Sequence, residues 1–403
     1  MPKGRPSVLI SGGGVAGPAL AYWLARRGYA PVIVERAPGL RGAGYRIEIS
    51  STGTGVLDRM GVLERVRAEG GGPPSAELVA GPRDRCFSAP PVGRDAVVIR
   101  RDRLGRILYD RAADDAEYLF DDTVAALHQD PGGVDVEFEG RAPRRFDLVV
   151  GADGLHSAVR RLVFGGGTAD HTRFLGTNLA IFTVPNRFGM RDAMRFHVWP
   201  YRGCMITTFP GNAEAEGLFL IRSRRPLDMR GMSGEERRRF LERVYAGDGW
   251  EVPGLLRDMR GTDLHFAPSL QVRMDSWSRG RVVLLGDAAY CPDPMTGQGS
   301  VMALLGAVAL AGELDAAGGD HARAFPAYEA AVRPHAEEAQ DMGRRSTGFI
   351  APRTGRTGVR LREWAAGAVL AGVRGAARLG VPLGPAPEPG AGFPLDRYAA
   401  ARG

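Results

Sequence analysis

The sequence predicts an α/β fold in which a mainly parallel sheet is interrupted by a second, mainly antiparallel sheet and followed by C-terminal helices. Three observations carry that prediction. Residues 7–35 read as strand, glycine-rich turn, helix and strand, the order of a βαβ unit. The apolar runs at 146–151 and 281–286 both end in glycine and both have the pattern of a buried strand, although they lie far apart in the chain. The intervening residues 173–270 carry alternating runs such as NLAIFTV and GLFLIRS, which suit antiparallel strands with one wet face.

Taken in order, Ser7 to Ile10 is the first strand, Pro18 to Arg27 has helical periodicity, and Val32, Ile33 and Val34 form a β-branched run closed by Glu35. A strand-like GYRIEI precedes a helix-like DRMGVLERVRAEG, and residues 70–85 are a turn-rich excursion. Arg101 to Ala112 is helical, Val124 to Leu127 and Val134 to Phe138 form a strand pair, and Gly299 to Leu314 is a long helix. Helical texture continues from about residue 327 until GPAPEPGAG. The expected organisation is a discontinuous first domain (1–72, 96–172 and 272–340), an inserted domain (73–95 and 173–271) and a C-terminal segment (341–403).

Composition narrows the function classes. Apolar residues make up 44% of the 403 and charged residues 25%, which excludes a disordered chain, a collagen and a coiled-coil rod. Basic residues outnumber acidic ones, 53 against 46, yet Lys3 is the only lysine, and Arg237, Arg238 and Arg239 are interleaved with glutamates rather than gathered into a patch. That pattern argues against nucleic acid as a partner. Cys86, Cys204 and Cys291 are odd in number and widely spaced, which fits a reducing cytoplasm and offers no metal knuckle, so no metal is expected. No membrane span is expected, because no apolar run reaches about 18 residues.

Gly12, Gly14 and Gly17 stand at GxGxxG spacing between a predicted strand and a predicted helix that Val15 and Ala16 begin. The first glycine permits a tight turn, the second lets backbone amides approach a pyrophosphate, and the third packs helix on strand. Glu35, followed by Arg36, closes the next strand, where a carboxylate can accept ribose hydroxyls. This motif alone does not separate NAD from FAD. A second motif runs Gly151, Asp153, Gly154, Ser157 to Arg160, and a third runs Gly286, Asp287, Tyr290, Pro292, Pro294, Gly297, Gln298 and Gly299.

Together the three ordered motifs resemble the FAD-dependent aromatic hydroxylase family (p-hydroxybenzoate hydroxylase-like, class A flavoprotein monooxygenases) over roughly residues 7 to 315. The resemblance is nearest to the branch with tetracycline-inactivating and actinobacterial polyketide-tailoring monooxygenases. It implies a Rossmann-like FAD-binding domain with the antiparallel sheet inserted as substrate domain. It also implies that Asp287 binds the ribityl chain and that Pro294 and Gly297 to Gly299 approach the pyrimidine edge of the flavin, where a helix N-terminus stabilises negative charge. By the same resemblance Asp153 belongs to a motif shared by FAD and NAD(P)H, with a turn carboxylate as the other reading. Arg41 would touch NADPH, Glu48 and Arg101 would touch FAD, and the main chain of Val124 would meet the adenine.

The implied activity is NAD(P)H-driven monooxygenation by way of a flavin C4a-hydroperoxide, with an aromatic or polyketide-like molecule and O₂ as co-substrates. Hydroxylation, epoxidation, Baeyer–Villiger insertion and a non-redox flavoprotein remain open. A flavin-dependent halogenase does not fit, because the WxWxIP signature and an active-site lysine are missing. Phe196, Val198, Trp199, Met205 and Phe209, with Pro294, are the expected substrate wall, and core packing explains the same residues. No catalytic residue is assigned. Tyr290 replaces the histidine of many relatives, Asp293 reads as a base or as an Asx-Pro turn, and Cys291 as a reactive thiol or a buried hydrophobe. The amphipathic stretch 359–380 is expected to brace the two domains, with subunit pairing or a membrane surface as the other readings. Monomer and homodimer both remain open.

Overall fold

The computed structural model describes residues 5–40, 44–80, 85–89, 95–229, 231–352, 354–378 and 389–399. The chain opens with β1 (Ser7–Ser11), α1 (Ala16–Ala25), β2 (Ala30–Glu35), β3 (Arg46–Ile49), α2 (Ser51–Arg59) and α3 (Leu63–Glu69). The segment expected as one helix from Asp58 to Gly70 is two, because Gly61 takes a φ of +70° and ends the first. There follow β4 (Ser75–Ala80), β5 (Arg85–Ala89), β6 (Val97–Arg100), α4 (Arg101–Ala112), β7 (Glu117–Phe120), β8 (Val124–Asp130) and β9 (Gly133–Phe138). The apolar run at 146–151 is likewise divided, into β10 (Arg144–Phe146) and β11 (Leu148–Gly151). Asp147 makes the break, its carboxylate accepting the Ser7 N–H at 2.7 Å and the Ser7 hydroxyl at 2.9 Å.

After α5 (Ala158–Phe164) come β12 (Thr172–Pro185), β13 (Ala193–Trp199), β14 (Arg202–Thr208), β15 (Glu214–Arg222), α6 (Gly234–Val244), α7 (Val252–Asp258) and β16 (His265–Val272). The chain then returns through β17 (Ser278–Arg279), β18 (Val282–Leu284) and the one-turn α8 (Asp287–Tyr290) to α9 (Gly299–Ala316). It ends in α10 (His321–Ile350), α11 (Arg356–Arg378) and α12 (Leu395–Ala399).

Among the described residues the strands form four sheets. The six-stranded sheet, in the order β17-β18-β11-β1-β2-β7, is parallel except at β17, and helices cover it so thoroughly that Leu9, Val149 and Val283 are fully buried. α9 is long and apolar enough to cross a membrane, but it is the core helix, buried from Val301 to Leu314 against α1, α2, α10 and α12.

The seven-stranded sheet, in the order β16-β12-β15-β14-β13-β4-β5, is antiparallel except where β4 joins β13. Its two faces differ. On one, Phe182, Cys204, Ile206 and Phe219 pack under Leu241 and Tyr245 of α6 and its end and Val252 and Leu255 of α7. On the other, Leu179, Leu218 and Leu220 pack with Ala351, and Ile181, Met205 and Met295 lie against them. α11 lies over the β4–β5 edge of the sheet. β3 and β6 form a two-stranded ribbon, and β8, β9 and β10 a small antiparallel sheet.

Candidate functional site

β2 and β11 flank β1 on opposite sides, so successive connections leave β1 in opposite directions and a crevice opens at its C-terminal end. Backbone shapes that crevice. Gly12 has a φ of +114°, and a Cβ there would lie 2.4 Å from the Ala152 carbonyl; at Gly17 it would lie 2.0 Å from the Gly12 carbonyl. Only glycine fits either position. Gly14 instead opens toward Arg101, whose Nη2 is 3.9 Å from where its Cβ would be. Val15 caps α1 without a side-chain hydrogen bond, so the first-turn N–H groups, from Ala16 on, have no intrahelical acceptor. Glu35 holds the turn, accepting the Gly13 N–H at 2.8 Å and the Ala37 N–H at 2.9 Å. Arg36 is exposed beside it, and the Asp122 N–H donating to the Glu35 carbonyl at 3.2 Å brings buried Val124 alongside.

A second bare helix terminus faces the same crevice. Gln298 caps α9 without a side-chain bond to the helix, and among the described residues its buried Oε1 has no hydrogen-bond partner. Gly297, at a φ of +66°, and the exposed Pro294 form the approach to it. A Cβ at Gly299 would lie 3.5 Å from Oδ1 of Asp287. Burial pushes the Asp287 carboxyl up, and the Arg101 charge opposes that shift. Arg101 also lies over the Tyr45 ring, 5.6 Å from its centroid, and donates its N–H to the Tyr45 carbonyl at 3.0 Å. One arginine thus stands near Gly14 from the first motif and Asp287 from the third. Gly286 closes the seam, with its would-be Cβ 3.4 Å from Ala16 and 3.7 Å from Ala303.

The second motif braces the crevice from behind. The Asp153 carboxylate accepts the Ser157 hydroxyl at 2.5 Å and the N–H groups of Ala158 at 2.7 Å and Val159 at 3.1 Å, so it caps α5. Fully buried Arg160 donates to the Ala288 carbonyl at 2.8 Å and the Leu155 carbonyl at 2.7 Å, which ties the second motif to the third. Glu48 is half-exposed on β3, 4.0 Å from Arg46, and Arg41 lies outside the described residues.

The apolar face of the large sheet meets this crevice at Met295, in the third motif. Cross-strand pairing aligns one row on that face: His265, Ile181, Leu218, Met205, Phe196, Leu78 and Phe87. Val198, paired with Gly203, shares the face by alternation, and Phe209 sits at its margin under Arg100, 5.3 Å from ring centroid to guanidinium. Trp199 corrects the expected wall. It stacks on His197 at 4.2 Å and meets Tyr245 edge-on at 6.4 Å, in the cluster under α6 and α7. Successive strand residues point to opposite faces, so Val198 and Trp199 cannot share one wall.

Three further positions resolve. Tyr290 is buried under α9, its hydroxyl 3.2 Å from that of Tyr328, and a Cβ at Gly306 would sit 2.0 Å from it. Asp293, at a φ of +105°, accepts the Ser269 hydroxyl at 2.6 Å and so holds a turn. Burial pushes the Cys291 thiol well up, which keeps it protonated. Sequence reasoning missed Tyr45 and also Glu216, a buried carboxylate of β15 that accepts the Arg46 N–H at 2.8 Å and pairs across the sheet with Thr183 and Thr207. An isolated glutamate within an apolar strand, EAEGLFLIR, was the available signal for it. A surface cleft of about 400 Å³ beside Arg5, Tyr29, Asp115 and Arg144 lies at the opposite ends of the strands, away from these motifs.

The FAD binding domain family model matches residues 5–342. An uncharacterized protein of Mycobacterium tuberculosis is 41% identical over 343 residues, covering 83% of this chain and 91% of its own. A flavin-dependent monooxygenase of Legionella longbeachae is 34% identical over 346 residues, covering 83% and 87%. Among solved structures, tetracycline destructase Tet(55) superposes with a TM-score of 0.78 at 30% identity, over 95% of this chain and 99% of its own. With the glycine cradle, the paired helix termini and the family model in agreement, the chain belongs to the FAD-dependent monooxygenases of the aromatic hydroxylase-like family.

Proposed function

We propose that the chain is a cytoplasmic, NAD(P)H-driven monooxygenase that places one oxygen atom of O₂ on an aromatic or polyketide-like molecule, with hydroxylation as the reaction. The observation that carries this reading is the convergence of two bare helix N-termini and Arg101 on Asp287, opposite an apolar sheet face. The residues fit FAD: glycines stand where any Cβ would collide, and buried Gln298 holds an unpaired oxygen. FAD bound there supplies hydride acceptance and oxygen activation.

The chain's own groups would bind and orient. The α1 terminus, from Gly12 to Gly17, suits a pyrophosphate and Glu35 the ribose hydroxyls, with Arg36 and Val124 at the adenine rim. Asp287 and Arg101 suit the ribityl chain, and the amides from Gly297 to Gly299 suit the pyrimidine edge. Glu48 and Arg41 remain candidates for FAD and NAD(P)H, and Asp153 would act by holding the turn beside Gly12. Residues 73–95 and 173–271 would form the substrate domain, its row from Ile181 to Phe196 giving a flat apolar wall that excludes water.

The test is anaerobic mixing of the flavin-loaded protein with NADPH, then NADH, with and without polycyclic phenols. Flavin bleaching that a phenol accelerates, followed in air by a product one oxygen heavier, is the expected result. Flavin that stays oxidised in every combination sinks the reading.

A further inference from the structure

α11 has two faces of different chemistry. On the inner one, Val359 and Glu363 are buried, and Gly367 packs so near Phe87 of β5 that a Cβ would come within 3.2 Å. On the outer one, Leu361, Trp364 and Val369 are 68%, 73% and 65% exposed, with exposed Ala365, Ala368 and Gly372 between them. At about 100° per residue these six positions fill one arc of roughly 140°. Exposed Arg360 and Arg362 border that arc on its two sides. Among the described residues the other exposed large hydrophobics, Leu162 and Tyr201, are less exposed, at 37% and 53%, and belong to other parts of the chain.

We propose that the outer face of α11 lies flat in the headgroup region of an anionic lipid bilayer. A Trp/Leu/Val arc flanked by arginines is the pattern of an interfacial helix, with the apolar arc in the acyl boundary and the guanidinium groups reaching up to lipid phosphates. Arg360 and Arg362 border the outer arc, and the helix's one glutamate, Glu363, is buried on the inner face, so the charges flanking that arc are both positive. Charge therefore selects an anionic surface. It also disfavours a second copy, since two-fold pairing would set arginine borders against each other, and three large side chains fall short of the roughly 800 Å² per partner of a stable dimer.

The experiment sediments the flavin-loaded full chain with vesicles of phosphatidylcholine containing about one third phosphatidylglycerol, and with pure phosphatidylcholine. The expected result is binding to the anionic vesicles alone, reversed at about 0.5 M salt. Trp364→Glu or Leu361→Glu should lower it about tenfold and Arg360→Glu about fivefold, with flavin absorbance and melting unchanged. No binding to either vesicle, or equal binding to both, overturns the proposal. So does a dimer in light scattering that Trp364→Glu splits, which would give the face to a second copy. Sedimentation needs no turnover, so its outcome is separate from that of the oxygenase test.

Discussion

At Gly12 and Gly17 the crevice above β1 is shaped by backbone that tolerates no side chain, whereas the sheet face opposite is shaped by one side chain from each of seven strands. The first kind of surface is written in six consecutive residues; the second is assembled from positions scattered between Leu78 and His265. Under the proposed assignment the backbone cradle would hold the invariant parts of FAD, its pyrophosphate and its flavin edge. A wall of independent side chains can be altered one strand at a time, so as the proposed substrate wall it could change without disturbing the cradle.

The strongest break in that contrast is Gly17→Ala, whose Cβ would meet the Gly12 carbonyl at 2.0 Å. It should cost at least about 3 kcal/mol and yield insoluble or colourless protein; a yellow, stable variant would mean that the cradle is not rigid. Next comes a matched pair across the large sheet. Trp199→Ala should lower stability by about 2–3 kcal/mol in thermal melts while leaving the KM for an accepted phenol unchanged. Met205→Trp should raise that KM about tenfold with a melting shift of at most about 2 °C. Equal effects on both readouts would erase the distinction between the faces.

Arg101→Met should weaken FAD binding about tenfold by flavin fluorescence, the size of one charge-assisted contact. Unchanged affinity would remove Arg101 from the site. The smallest effect concerns Glu216. Burial raises its carboxyl above the ordinary 4.5, with Arg46 and Arg100 opposing, so the folded state holds the proton more tightly than the unfolded chain does. Stability from this group is therefore fully present below pH 4.5 and is lost as pH rises through the folded pKa. Glu216→Gln should melt a degree or two above the parent at about pH 7.5 and level with it at about pH 4. A lower melting point at neutral pH would mean that Glu216 is held ionised.

How much of this was legible follows from the same contrast. The glycine turn, α4 from Arg101 to Ala112 and the buried strands at both ends of the insertion are local patterns, and each is legible in a short window. Trp199 falls outside the expected wall because the two-residue period of its own strand turns it to the face opposite Val198. Tyr45 stayed hidden because its neighbours, Arg101 and His265, come from distant segments. The break at Asp147 needed Ser7, 140 residues away, to explain it.

The buried Arg160 guanidinium sets a constraint on how the protein is made. Its acceptor, the Ala288 carbonyl, is 128 residues further along the chain, and β18, which completes the sheet beside β11, arrives just before it. At roughly 5–20 residues per second, a ribosome needs on the order of ten seconds to supply that partner. Until then the nascent chain has its glycine turn but neither the second helix terminus nor the carboxylate at Asp287. Chains truncated before residue 288 should therefore be made colourless, with flavin taken up only once the inserted sheet and α9 have been added.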